Sequence, residues 1–296
     1  YSLAANQNHP QAQYGFGLLY ASGKYIPRDM NKAIHYYSLA AKQNYPKAQY
    51  NLGLIYFLGI FKKQNIYKGI YYICNSAFNG NKQANFSVGF LFHDGKYYGK
   101  DIRRAIKYYK EASSFNNQYA KNNLGIIYKN GFGDEIQPNI GLANEYFKEA
   151  INQKNDKIAM YNLAHMYLYN EQYKEEFDII DLLIRSINVN FEDSLTLLCI
   201  ALFKKYGCDI NKIIKRLNEN AIKAKNISMI DYKLITNKSS YEQLYKHYKN
   251  IDFLYDISMN PIKSNQIGKQ EKKVITNGKA KEITSIFYEG FGIDIN

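Results

Sequence analysis

Small and apolar residues recur along this chain at helical intervals, and the whole pattern then repeats. The stretches AQYGFGLLYASG from Ala12, AQYNLGLIYFLG from Ala48, ANFSVGFLFHDG from Ala84 and AKNNLGIIYKNG from Ala120 begin 36 residues apart. A fifth copy, AMYNLAHMYLYN from Ala159, follows after 39. With aliphatic and aromatic variation the copies follow A-x-x-x-L-G-x-x-Y-x-x-G, and Ala164 and Asn170 replace the two glycines of the fifth. At roughly 100° per residue the Ala, Leu and Tyr positions, spaced by four, fall on one stripe of a helix. The pattern predicts first helices over 11–22, 47–58, 83–94, 119–130 and 158–169, each with one face for packing.

The glycine after the Leu position lets a second backbone approach closely, and the last glycine suits a left-handed residue that closes the helix. Asn170 is the other common choice for such a cap. Each unit continues into a second helix, as in DMNKAIHYYSLAAKQN and DIRRAIKYYKEASSFN, with an aromatic pair and small residues at helical spacing. Four residues before its first small residue stands Asp29, Asn65, Asp101 or Asn139, a side chain able to accept from an unpaired N–H of the first turn. Pro10 and Pro46 open first helices, where their fixed φ helps and no N–H is missed.

A single helix pair cannot bury its apolar face alone, so neighbouring pairs stack. The expected fold class is all-α, a solenoid of helix-turn-helix repeats of 36 residues. An array is expected over 1–192: a partial unit at 1–10, then repeats at 11–46, 47–82, 83–118, 119–157 and 158–192. The opening YSLAANQNHP matches YSLAAKQNYP at 37–46, so the first unit reads as cut. Degenerate helical repeats are expected over 193–257, with Asp209 at a cap, followed by a basic flexible linker over 258–279 and the start of a truncated repeat over 280–296.

Ala12, Phe16, Gly17, Tyr20, Gly23, Asp29, Ala33 and Ala40 stand where the Sel-1-like repeat family, a close relation of tetratricopeptide repeats, has its pattern. The chain resembles that family over residues 1–156, less closely to 192 and weakly beyond. The resemblance implies antiparallel helix pairs in a right-handed superhelix, and adaptor roles in signalling, quality control and complex assembly. Departures are Gly69 and Gly141 where the second helix has Ala, two extra residues near Asp134, and erosion of the pattern after 170.

In tetratricopeptide relatives a second stripe of the first helix, roughly 150° from the packing stripe, lines a concave groove. Here one column of it reads Tyr14, Tyr50, Phe86, Asn122 and Tyr161, and the next Leu18, Leu54, Phe90, Ile126 and His165. A more varied column reads Ala21, Phe57, His93 and Lys129. The candidate protein-binding groove is therefore Tyr14, Leu18, Tyr50, Leu54, Phe57, Phe86, Phe90, His93, Asn122, Lys129, Tyr161 and His165. Aromatic residues in a groove offer large contact area at low entropy cost. Packing against the adjacent repeat is the competing reading for each. Lysine and asparagine pairs that clamp a C-terminal carboxylate in some relatives are not evident; Asn122 and Lys129 come nearest, in one unit.

Composition changes this picture little. Cys74, Cys199 and Cys208 have no ligand-like spacing, which suggests a reducing compartment. No apolar run reaches about 18 residues and the opening lacks a signal-peptide pattern, so a cytoplasmic chain is expected. Of the net charge of +13, +10 lies between Lys204 and Lys281. That region offers the alternative of binding RNA or an acidic membrane. Abundant Tyr, Asn, Lys, Ile and Phe point to A/T-rich coding, however, and KSNQIGKQEKKVITNGKAK at 263–281 has the composition of a solvated linker.

Catalytic signals are weak. GLLYASGKY and GFLFHDGKY separate their glycines by five residues rather than four, and Tyr25 or Tyr97 occupies the place of a magnesium-binding Ser or Thr. There is no S-x-x-K, K-T-G or H-E-x-x-H, and the five histidines form no i, i+4 pair. We therefore expect no cofactor, no metal and no small-molecule substrate, and a protein or peptide partner for a non-catalytic scaffold. By family analogy, the array could also regulate or target a catalytic domain, such as a protein kinase, outside this chain.

Overall fold

The computed structural model describes residues 9–154, 156–170, 179–189 and 193–206. The partial unit at 1–8, the Asp209 cap, the later degenerate repeats, the linker at 258–279 and the unit at 280–296 lie outside the described residues. Among those described, the helices are α1 (Pro10–Ser22), α2 (Met30–Lys42), α3 (Pro46–Leu58), α4 (Ile66–Phe78), α5 (Lys82–Asp94), α6 (Ile102–Ser113), α7 (Gln118–Asn130), α8 (Ile140–Lys154), α9 (Lys157–Tyr169), α10 (Ile179–Asn188) and α11 (Asp193–Tyr206). Each of the five first helices starts one residue before its expected position and ends on it. No strand occurs among the described residues; two isolated bridges pair Phe132 with Asp134 and Ile136 inside the α7–α8 loop. No helix among them is long and apolar enough to cross a membrane.

The described residues up to Tyr119 belong to one compact unit and those from Ala120 onward to another. In the first, α1 and α2, α3 and α4, and α5 and α6 form antiparallel hairpins. Gln13, early in α1, accepts from Gln43 just past α2 at 2.8 Å, and Gln49 accepts from Asn79 at 2.9 Å. At the opposite end Tyr20 stacks on Tyr36, Tyr56 on Tyr72 and Phe92 on Tyr108, with ring centroids 5.8, 6.2 and 5.9 Å apart. Lys32, Lys68 and Arg104 lie over Tyr20, Tyr56 and Phe92, so each hairpin closes on a cation above two rings. Stacked pairs of this kind contribute about 0.5–1.5 kcal/mol beyond their buried area.

All four expected second-helix caps form. Asp29 accepts from Lys32 N at 3.0 Å, Asn65 from Lys68 N at 3.0 Å, Asp101 from Arg104 N at 2.9 Å and Asn139 from Leu142 N at 2.9 Å. The backbone N–H of each cap residue reaches back to the aromatic position of the first helix: Asp29 to Tyr20 O, Asn65 to Tyr56 O, Asp101 to Phe92 O and Asn139 to Tyr128 O. The fourth bond persists although its loop is two residues longer. The extra residues are absorbed by a local turn in which Phe132 N donates to Ile136 O at 2.7 Å.

Gly23, Gly59, Gly95 and Gly131 all adopt the left-handed conformation expected of them. Asn170 does not: its φ is −114°, so the fifth first helix ends in extended backbone, although Asn170 N still donates to Met166 O. Gly69, a departure from the family pattern, has a direct cause. A Cβ there would lie 2.5 Å from Phe57 N, so α4 approaches the backbone of α3 more closely than Ala allows. Gly141 is not the matching case. It is exposed at the second position of α8, and the residue in phase with Ala33 is the buried Ala143.

In the second unit α9 is enclosed, with every residue from Ile158 to Leu168 buried. It packs against α8, α10 and α11. Tyr128 stacks on Tyr146 at 5.7 Å, continuing the motif of the first unit. Ser186 donates to Lys157 O at 2.7 Å, as Ser76 does to Pro46 O at 2.6 Å, each tying a second helix to the first turn of its partner.

Candidate protein-binding groove

Two structural devices set the walls of a pocket in the first unit. Pro46 at the start of α3 fixes the entry of that helix, and the left-handed Gly80 turns the chain into Asn81, which caps α5 by accepting from Gln83 N and Ala84 N. Between these starts and the first half of α1 lies a pocket of about 650 Å³. Tyr14 and Leu18 of α1 form one wall, Tyr45, Tyr50 and Asn51 another, and Lys47, Lys82 and Gln83 the mouth.

Tyr14 lies 5.2 Å from the Tyr45 ring and 5.7 Å from Tyr37. Burial, and then the neighbouring Tyr45, push the Tyr14 hydroxyl up to about 12, with the Asn51 amide opposing. Burial likewise raises Tyr37, with Tyr14 adding and Asn51 opposing. Both hydroxyls are therefore neutral at ordinary pH. Asn51 is only 3% exposed, and its side chain sits beside the Tyr14 and Tyr37 hydroxyls. Lys47 and Lys82 are exposed, and no acidic residue is among the described residues that line the pocket.

Of the residues singled out in the sequence, Tyr14, Leu18 and Tyr50 meet in this pocket. Leu54, Phe57 and Phe90 pack in one apolar cluster with Tyr50, and Phe57 meets Tyr97 edge-on. Phe86 is fully buried between the rings of Tyr109 and Tyr119. His93 lies 3.4 Å from the Tyr109 hydroxyl, and burial first, then Lys100, lowers it to about 4. In the second unit Asn162 donates to Asn122 at 2.8 Å, Lys129 Nζ is 3.0 Å from His165 Nδ1, and Tyr161 stacks on His165. Asn122, Tyr161 and His165 are buried, so this group is an internal network. Asn51, Lys47 and Gln83 were not singled out. Asn51 belongs to a polar column with Ser87, Asn123 and Asn162, three residues after the Ala of the last four copies, whereas Lys47 and Gln83 stand directly before Ala48 and Ala84, a position on the second stripe.

The repeat geometry agrees with a family pattern. The model of the Sel1 repeat matches residues 10–45, 46–77, 82–114, 118–155 and 157–171, more than half of the chain. The chain belongs to the Sel1-repeat family. Its fold is similar to that of a Sel1 repeat protein from Oxalobacter formigenes, with a TM-score of 0.58 and 20% identity over 82% of this chain and 88% of that one. It is also similar to c5321, a protective antigen of uropathogenic Escherichia coli with the same repeat fold (TM-score 0.59, 21% identity, 83% of this chain), though it spans only 54% of that protein. No curated protein sequence matches the chain significantly. As a Sel1-repeat protein it is a helical repeat solenoid, and such repeats generally serve as protein-interaction scaffolds.

Proposed function

We propose that this Sel1-repeat chain is a non-catalytic cytoplasmic adaptor that holds a segment of a partner protein in the groove between α1, α3 and the start of α5. The observation that carries this reading is the pocket of about 650 Å³ lined by Tyr14, Leu18, Tyr50 and Asn51, with Lys47 and Lys82 exposed beside it. An extended segment places an apolar side chain in the space against Tyr14, Leu18 and Tyr50. Lys47 and Lys82 at the mouth, with no acid among the described lining residues, favour a segment that carries carboxylates. Leu54, Phe57, Phe86, Phe90, His93, Asn122, Lys129, Tyr161 and His165 then serve to stack the repeats that shape the groove.

A photoreactive benzophenone side chain placed at Lys47, against the same group placed at Lys32 on α2, tests the proposal. The Lys47 position is expected to form a discrete covalent product with one partner in cells, and the Lys32 position none. No discrete product at Lys47, or identical products at both positions, would remove the groove from consideration.

A further inference from the structure

The second helix of the second repeat differs from its neighbours on the outer face. Tyr67, Tyr71, Cys74 and Phe78 of α4 follow the spacing i, i+4, i+7, i+11 and form one stripe along the helix. It is an exposed stripe: Tyr67 is 75%, Tyr71 61% and Phe78 90% accessible. Tyr98, from the loop before α6, extends it beside Cys74 and Tyr67 and is itself 57% accessible. The residues 36 positions earlier on α2 are Asn31, His35, Ser38 and Lys42, and those 36 positions later are Arg103, Lys107 and Lys110 of α6 and its cap Ser114. The repeat architecture thus places polar or charged residues here, and packing within the chain does not account for rings so exposed. Scattered exposed apolar residues are ordinary, but a contiguous set on one helix face marks an interaction surface.

We propose that this aromatic ridge on α4 docks an amphipathic helix of a partner protein, one with an apolar stripe edged by Asp and Glu. The ridge is straight and about 16 Å long at the helical rise, which matches three turns of a packed helix. Charge selects the occupant. Residues 61–110 carry ten Lys and Arg against two Asp, and Lys63, Lys68, Arg103, Lys107 and Lys110 are all exposed. Three of the four rings are tyrosines, whose hydroxyls find acceptors among carboxylates at the edge of such a helix. This surface is separate from the groove of the first helices, and its occupancy does not depend on the groove being used.

The test uses the full chain and two synthetic 18-residue helical peptides with one shared leucine stripe, one flanked by glutamates and the other by lysines. Fluorescence anisotropy is expected to give at least tenfold tighter binding for the glutamate peptide. The Tyr71→Ser/Phe78→Ser variant should lose at least tenfold of that affinity at an unchanged melting temperature. Arg103→Glu/Lys107→Glu should reverse the preference towards the lysine peptide. Equal binding of both peptides, or full affinity in the Tyr71→Ser/Phe78→Ser variant, overturns the proposal. So does a ridge variant that changes only self-association in sedimentation, which would assign the face to a second copy. An effect only on binding to phosphatidylserine vesicles, which would assign it to a membrane, overturns it as well.

Discussion

The hydroxyl of Tyr50 on α3 lies 3.0 Å from Ser87 Oγ on α5, joining the first helices of two successive repeats inside the core. Both residues are buried, so the bond forms where water cannot replace it. Tyr50→Phe should cost about 1 kcal/mol, and adding Ser87→Ala to it should cost little more, because the pair shares one bond. Tyr50→Ala removes the ring as well and should cost about 3–5 kcal/mol. Denaturant unfolding of these variants and of Ser87→Ala alone checks this; independent, additive losses for Tyr50→Phe and Ser87→Ala would mean the bond is not made.

Glycines on the first helices of successive repeats should respond in opposite ways to a side chain. Gly15 has nothing within 4 Å of an added Cβ, whereas a Cβ on Gly53 would lie 2.8 Å from Ile73 Cγ1 and 3.0 Å from Gly69 O. Gly15→Ala should therefore stabilise by about 0.5–1 kcal/mol through helix propensity. Gly53→Leu should destabilise by about 1–3 kcal/mol through overpacking. Melting curves that shift the same way for both would contradict this packing.

The cap at Asp101 should tolerate its own amide. Asp101→Asn keeps the acceptor for Arg104 N, as Asn65 and Asn139 do in neighbouring repeats, and should change stability by a few tenths of a kcal/mol. Asp101→Ala should cost about 0.5–2 kcal/mol. Loss of helical signal from Asp101→Asn as large as from Asp101→Ala would contradict the capping role.

His93 predicts a pH dependence. Its pKa falls from the usual 6.5 to about 4 in the fold, chiefly because burial disfavours the charged ring. Between those values the unfolded chain binds the extra proton and the folded chain does not. Stability should therefore decline as pH falls from 6.5 towards 4, and be insensitive to this group above 6.5. His93→Gln should flatten that part of the stability profile; an unchanged slope would assign the acid sensitivity elsewhere.

The helix pairs were legible in the sequence because caps, glycines and stripes repeat in phase, and each has a local physical cause. Asn170 was not, because a helix can also end in extended backbone, and residue type alone does not choose. The groove was legible only at Tyr14, Leu18 and Tyr50. Phe86 occupies the same column yet sits between Tyr109 and Tyr119, since each first helix packs against its own second helix and against the following repeat. An apolar residue on that stripe looks the same in sequence whether it seals a stack or lines an opening. Asn51 was not legible because only the fold places its buried amide beside the Tyr14 and Tyr37 hydroxyls.

The proposed groove divides the face of the first helices into a stacking part and a receiving part, and charge reversal separates the two. Lys47→Glu/Lys82→Glu and Tyr50→Ala should be measured together for melting temperature and for capture of the partner crosslinked at position 47. The charge-reversed variant is expected to melt with the parent chain and to lose at least tenfold of partner capture, while Tyr50→Ala melts well below it. A charge-reversed variant that stays folded and captures the partner as the parent does would contradict the groove as the receiving surface.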